Sequence, residues 1–223
     1  MRKIIGIFAV VGGLTAAAVP ASADVAVGAG VGTMGWELDV ATEVNTFLAV
    51  RLNGNVGSFT IPDLGFGGSY GGIGYDVHGD LLSLGLVADF HPLGLSPIGS
   101  GFVLSGGLYY NKNEFEFTST TAGSVTVGGT SYPNPVLVAN TTFPDWAPYA
   151  SVGYDGTFHG ILPVSFFMRA GVLFQGSPSV TLRETSGLGI LPTDLAAEAQ
   201  QLQSDMANFE YYPVLAIGVT ISF

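Results

Sequence analysis

Charged side chains are scarce in this sequence, and their spacing favours ion pairing over catalysis. Only 10% of the 223 residues are Asp, Glu, Lys or Arg. Glu37 and Arg51 lie on either side of a short polar stretch centred near Glu43–Val44. A turn there would place them opposite or diagonal to each other on one face of a strand pair, where opposite charges attract. A carboxylate and a guanidinium at that spacing predict a salt bridge.

A second pairing of the same kind is expected near Gly160. Asp155 and Ser151 precede this turn and Arg169 follows it, so the three side chains should share one face. Other polar residues occupy the corresponding face of neighbouring segments. The complete candidate set, predicted to form one polar network, is Glu37, Asp39, Arg51, Asn53, Asp89, Asn111, Asp155, Arg169 and Gln175.

Other motifs predict no active site, no metal and no cofactor. The stretch Gly30–Gly35 matches G-x-G-x-x-G, but an alternating strand pattern follows it instead of the helix that nucleotide binding requires. His78, His91 and His159 have no metal-ligand spacing, and the chain contains no Cys. Ser96 follows His91 by five residues in a Pro/Gly turn, without a recognisable acid partner. We therefore expect a protein that is not an enzyme.

The segments that carry these residues alternate between apolar and polar positions. In the last segment the odd positions from Leu215 to Phe223 are large and apolar, and the even positions are small or polar. A period of two predicts a β-strand with one apolar face. The sequence predicts seven strands: Val31–Ala41, Thr46–Phe59, a strand ending at Phe90, Phe102–Phe117, Trp146–Gly156, Val164–Leu182 and Tyr212–Phe223.

These strands are best explained by a transmembrane antiparallel β-barrel. A soluble sandwich would also alternate, but it would usually carry more charge on its outer face. Here the polar face consists mainly of Gly, Ser, Thr and Asn, which suits a narrow lumen. Aromatic residues near the strand ends are expected to form interfacial girdles: Trp36, Phe90, Tyr110, Trp146, Tyr154, Tyr211 and Tyr212.

A barrel with both termini on one side needs an even number of strands, so we predict eight. The missing strand is either Val25–Gly30, with a turn at Gly30–Thr33, or the Val136–Phe143 region. Long links near 60–74, 118–145 and 183–209 should lie outside the cell. The short links near 42–45, 91–101 and 159–163 should face the periplasm.

Two local features are expected in the long links. Val125–Val127 and the pair Gly128–Gly129 predict a small hairpin. Apolar residues spaced by four and three positions predict one short amphipathic helix within 193–209, after Pro192 and capped by Thr193 or Asp194. This helix either packs over the barrel rim or acts as a plug or partner-binding element. Its apolar stripe is Leu195, Ala199, Leu202, Met206 and Phe209.

The N-terminus predicts export. Arg2 and Lys3 precede an apolar run and the small residues Ala21–Ala23, which together are typical of a signal peptide. We expect residues 1–23 to be removed and residues 24–223 to form the barrel domain. The net charge of −11 then becomes −13 once the two positive residues are lost. Such a charge would repel nucleic acid, so we expect no nucleic-acid partner.

Several stretches resemble small outer-membrane proteins of Gram-negative bacteria. The chain is similar to the OmpA/OmpX/OmpW-like group of porin-family eight-stranded barrels, and most similar to an uncharacterised proteobacterial group within it. The resemblance implies the barrel and its outer-membrane location, but no substrate. It is carried by Ala88–Pro92, Ser105–Asn111, Ala147–Tyr149, Gly171–Pro178 and Tyr212–Val214.

Two functions are compatible with these features. If the lumen charges form a gated narrow pore, small or apolar solutes would pass, as similarity to the OmpW branch implies. If the charges neutralise each other and hold the lumen shut, as the narrow interior of an eight-stranded barrel favours, the barrel would serve adhesion or envelope stability. In either case we expect a monomer that contacts outer-membrane lipid and lipopolysaccharide. The C-terminal Phe223 is expected to be the signal read by the assembly machinery.

Overall fold

The computed structural model describes residues 25–62, 74–96, 99–120, 122–159 and 163–223. The predicted signal peptide and most of the Gly-rich link lie outside these ranges. Strands dominate the described part of the chain, and every pairing between them is antiparallel.

Eight strands close into a ring. They are β1 (Val25–Gly32), β2 (Gly35–Asn45), β3 (Leu48–Ile61), β4 (Tyr75–Phe90), β5 (Phe102–Asn111), β10 (Trp146–Asp155), β11 (Val164–Phe174) and β13 (Tyr211–Ser222). Among these eight, each strand pairs with the one that comes next along the chain, and β13 pairs with β1 to close the ring. The predicted eight-stranded transmembrane barrel is confirmed.

The eighth strand is the N-terminal candidate. Residues predicted as one strand from Val31 divide at a tight turn, Thr33–Met34, into the end of β1 and the start of β2. The Val136–Phe143 candidate instead contains β9 (Leu137–Thr142), which lies outside the ring. The first of the links at the end that is expected to lie outside the cell is therefore a two-residue turn, whereas the other three links at that end are long.

Side chains alternate between the two faces of the ring as the sequence predicts. In β13 the odd residues Leu215, Ile217, Val219 and Ile221 are exposed on the outside, whereas Ala216 is buried inside. The aromatic residues of the predicted girdles are likewise exposed, except Tyr212. Its hydroxyl donates a hydrogen bond to the carbonyl oxygen of Thr33 at 2.6 Å, and the ring packs against the interior cluster. An apolar outer surface around a polar interior is the pattern of a barrel that faces lipid.

On one side of the barrel the wall continues beyond the ring. The upper part of β4 pairs with β6 (Glu114–Ser119), β6 pairs with β9, and β9 pairs with β12 (Ser179–Glu184). In the chain, β6 follows β5, β9 precedes β10 and β12 follows β11, each across a short irregular segment. Phe115 and Phe117, which break the alternation of the sequence, therefore lie in this extension, where both are buried.

A hairpin and a helix cover the extension and complete an external module. The hairpin consists of β7 (Ser124–Val127) and β8 (Thr130–Pro133), as predicted. Helix α1 (Pro192–Asp205) packs against β12 and β7 and is followed by a 3-10 turn, Ala207–Glu210. No helix in the described ranges is long and apolar enough to cross a membrane. The module has its own apolar core, which includes Tyr75, Phe117, Val127, Leu137, Leu202 and Met206.

The start of α1 differs from the prediction. The helix begins at Pro192, a residue that is favoured in the first turn, so Leu191 occupies the N-cap position, and its apolar side chain has no atom that could accept a capping bond. The carboxylate of Asp194 instead accepts a hydrogen bond from the Tyr132 hydroxyl at 2.7 Å. One turn later, Glu198 accepts a hydrogen bond from the backbone N–H of Gly128 at 3.2 Å. Two helix carboxylates thus hold the hairpin.

Candidate functional site: the ion-paired barrel interior

The polar face of every barrel strand points into the lumen, where the candidate residues meet. Seven of the nine sequence candidates join one continuous network of ion pairs and hydrogen bonds. They are Glu37 and Asp39 on β2, Arg51 and Asn53 on β3, Asp89 on β4, Asp155 on β10, and Arg169 on β11. Each is no more than 6% exposed.

Arg51 binds Asp89 through two parallel bonds. Its Nε lies 2.7 Å from Oδ2 of Asp89 and its Nη2 lies 3.1 Å from Oδ1. This fork-to-fork geometry is the strongest arrangement that a guanidinium and a carboxylate adopt. The third contact of Arg51 reaches Oδ1 of Asp39 at 3.4 Å.

Arg169 contacts three carboxylates. Its Nη1 lies 2.6 Å from Glu37 and 2.9 Å from Asp39, and its Nη2 lies 2.7 Å from Asp155. Asp39 therefore bridges the two arginines. The guanidinium also lies 3.8 Å from the centre of the Phe167 ring, within range of a cation–π contact.

The predicted pairing of Glu37 with Arg51 is wrong. The turn between β2 and β3 is centred at Thr46, so Ala41 faces Arg51 and Asn55 faces Glu37. The partner of Glu37 is Arg169, which comes from the opposite part of the sequence and approaches across the lumen. Asp155 does bind Arg169, as the second turn predicted. A displacement of the turn by about two residues was enough to change the partner.

Amide and hydroxyl groups extend the network. Asn53 donates to Asp39 at 2.6 Å, and its own oxygen accepts from the Tyr109 hydroxyl at 2.8 Å. Ser105 donates to the Oδ1 atom of Asp89 at 2.6 Å. Ser105 and Tyr109 were not among the sequence candidates, although both lie on the polar face of β5.

The remaining two candidates, Asn111 and Gln175, lie apart from the charges. Asn111 is the last residue of β5, and its Oδ1 accepts a bond from the backbone of Asn113 at 3.3 Å. Gln175 follows β11 and donates from Nε2 to the carbonyl oxygen of Phe209 at 2.9 Å. Both are buried at the rim, where the strands enter the external module. They join the barrel to the module instead of contacting the arginines.

An apolar layer lies beside the network. Tyr109 and Tyr149 meet edge to face, with ring centres 5.2 Å apart. They belong to a buried cluster with Met34, Leu173 and Val214. The interior is therefore filled by side chains rather than open, which is expected for eight strands.

The network carries excess negative charge. Two guanidinium groups are surrounded by four carboxylates, so the formal charge is 2 − 4 = −2 when all are ionised. Removing either guanidinium would leave at least one carboxylate desolvated without its cation: Asp89 for Arg51, and Glu37 and Asp155 for Arg169. In the described ranges no group of three His, Cys, Asp or Glu residues is arranged to hold a metal.

Two histidines lie at the short-turn end of the barrel. The rings of His91 and His159 are 4.4 Å apart, and His159 contacts the carbonyl oxygen of Thr46 at 3.2 Å. Burial lowers the pKa of His91 below its ordinary value of 6.5, and the neighbouring His159 adds to this effect. Burial therefore disfavours the protonated form of His91.

Solved structures similar to this chain are outer-membrane barrels. CarO2 of Acinetobacter baumannii is 24% identical with a TM-score of 0.65, and the alignment covers 90% of this chain and 98% of CarO2. CarO of the same organism is 21% identical with a TM-score of 0.61, covering 89% and 97% of the two chains. No protein-family model matches the sequence, and no curated protein matches it significantly. The chain has the fold of a small Gram-negative outer-membrane β-barrel.

Proposed function

We propose that this protein is a non-conducting outer-membrane barrel that displays its external module at the cell surface. The observation that carries this proposal is the state of the lumen charges. Arg51, Arg169 and their carboxylate partners are at least nine-tenths buried and bind one another. Almost none of their surface is accessible to solvent, so hydrated ions would have no path between them.

The external module fits a role in display or envelope stability. Its hairpin, strands and helix share one apolar core, which includes Val127 and Leu202. Pairing of β4 with both β5 and β6 makes the module continuous with the barrel wall. A surface built in this way has a fixed shape, which a binding partner can recognise without first ordering a loop.

The barrel exterior and the chain end support the expected partners. Large apolar side chains cover the outside, which suits contact with outer-membrane lipid and the acyl chains of lipopolysaccharide. Phe223 is 78% exposed at the short-turn end, so the assembly machinery could reach it. We propose that the protein acts as a monomer and catalyses no reaction.

Planar-bilayer recording tests this proposal. We expect the wild-type protein to produce no discrete conductance steps. Steps in the wild type under conditions where the protein remains folded would overturn the proposal. The folded state can be checked in the same preparation by the shift in gel mobility on heating.

A second candidate, a gated narrow pore, rests on the charge in the lumen. A purely structural barrel can be filled with apolar side chains, which are often as stable as buried ion pairs. Replacing Arg51 by Ala would make the net charge of the lumen more negative, from −2 to −3, and shorten one side chain that blocks it. A gated pore predicts cation-selective steps in Arg51→Ala, whereas the closed barrel predicts none. Arg183→Ala is the matched control, because Arg183 lies on the external module with its side chain 58% exposed.

A further inference from the structure

The outer face of the barrel has a recess where β1, β11 and β13 meet. It has a volume of about 590 Å³, and all its lining residues are apolar or glycine. Ala29 is the small outward residue of β1 here, between larger neighbours on the adjacent strands. The larger lining side chains are Val31, Trp36, Phe166, Met168, Ile217 and Val219.

A second recess of about 220 Å³ continues from the first toward the external end. The two share Val31 and Trp36, so they form one path along the barrel surface. The lining of the upper recess includes the hydroxyl-bearing residues Thr33 and Ser58. The path thus begins among lipid-facing side chains and ends among polar groups.

The upper recess exists because β3 is longer than its neighbour. The last pair between β2 and β3 is Trp36 with Val56, and residues from Gly57 to Ile61 pair only with β4. In the described ranges no strand pairs with the other edge of this segment, so the backbone groups on that edge have no ladder partner there. Gly35, with φ of +93°, allows the turn to approach so closely that a Cβ on Gly57 would lie 2.9 Å from its Cα.

The residues that line this path indicate which kind of ligand it can bind. Neither recess is lined by a charged side chain. A phosphorylated headgroup would therefore find no cation to bind, whereas hydroxyl, ester or amide groups could bond the backbone of this strand edge. We propose that the path binds a single-chain amphiphile with an uncharged head, its acyl chain beside Ala29 and its head beside Ser58.

The tryptophans provide the test. The chain has two, Trp36 and Trp146, both exposed on the barrel exterior, and only Trp36 lines the path. Trp146→Phe leaves Trp36 as the single reporter, and Trp36→Phe leaves Trp146 as the matched control. Each variant would be placed in phosphatidylcholine vesicles and titrated with a dibrominated monoacylglycerol, whose bromines quench nearby indoles.

We expect saturable quenching of Trp36 at low probe fractions, while Trp146 is quenched only in proportion to the bulk probe. Adding Ala29→Phe should fill the recess and raise the half-saturating fraction about tenfold. Ala88→Phe, on the outward face of β4, should leave it unchanged. Equal, unsaturable quenching of both tryptophans, or no effect of Ala29→Phe, would overturn the proposal. Equal saturation by an ionised dibrominated fatty acid would overturn the assignment of an uncharged head.

Discussion

Replacing Arg169 by Met should destabilise the barrel more than any loss of a surface charge. The guanidinium contacts Glu37, Asp39 and Asp155, all no more than 6% exposed. After the substitution Asp39 keeps Arg51 at 3.4 Å. Glu37 and Asp155 lose the only cation recorded within 4.0 Å of either carboxylate in the described ranges.

The size of the effect follows from this count. Removing one partner of a buried ion pair costs about 3–5 kcal/mol, because the remaining charge stays desolvated. Because Arg169→Met leaves two carboxylates without a cation, we expect its loss of stability in the upper part of that range. Proton uptake by either carboxylate would limit this loss. A change of about 4 kcal/mol lowers the folding equilibrium constant nearly a thousandfold.

Equilibrium unfolding in urea, followed by tryptophan fluorescence in lipid vesicles, measures this change. Arg183→Met is the control, since its single ion pair is 3.4 Å long and exposed. Such a pair contributes less than about 1 kcal/mol. A triple variant that adds Glu37→Gln and Asp155→Asn should recover much of the stability, because no charge is left unpaired. A loss below about 1 kcal/mol in Arg169→Met, or no recovery in the triple variant, would refute the reasoning.

Three further predictions concern packing, pH and assembly. Gly218→Val should destabilise the barrel by about 1–3 kcal/mol, since a Cβ there would lie 2.4 Å from the Phe167 ring; Gly106→Val, with open space around it, should change the free energy of unfolding little. Because burial lowers the pKa of His91 in the folded barrel, the unfolded chain takes up the proton first as pH falls below about 6.5. Stability should therefore decline with falling pH, and His91→Phe should flatten that decline in urea titrations, whereas the exposed His78→Phe should not. Deleting Phe223 should slow membrane assembly in cells, as measured by the fraction of heat-modifiable protein, and unchanged assembly would contradict the proposed role of this residue.

Local patterns were sufficient to predict the barrel but not the rim. Alternation assigns Leu215 and Ile217 to the outside and Arg51 and Arg169 to the inside, because a strand has a period of two whatever its neighbours are. The sequence predicts β6 and β12 as continuations of barrel strands, and β9 as part of a long loop or as the eighth barrel strand. These strands are only six residues long, and their faces are set by packing against α1 rather than by lipid.

The alternation of residues along each strand is enough to predict which side chains enter the lumen, whereas the closed ring sets which of them bind each other. Whether a side chain points into the lumen depends on its odd or even position in the strand. A shift of the turn by two residues does not change this, so Glu37 and Arg51 both point inward as predicted. Partner choice depends on register and on closure of the ring. Closure brings β11 beside β13, β13 beside β1 and β1 beside β2, and this places Arg169 within 2.6 Å of Glu37, 132 positions away in the chain.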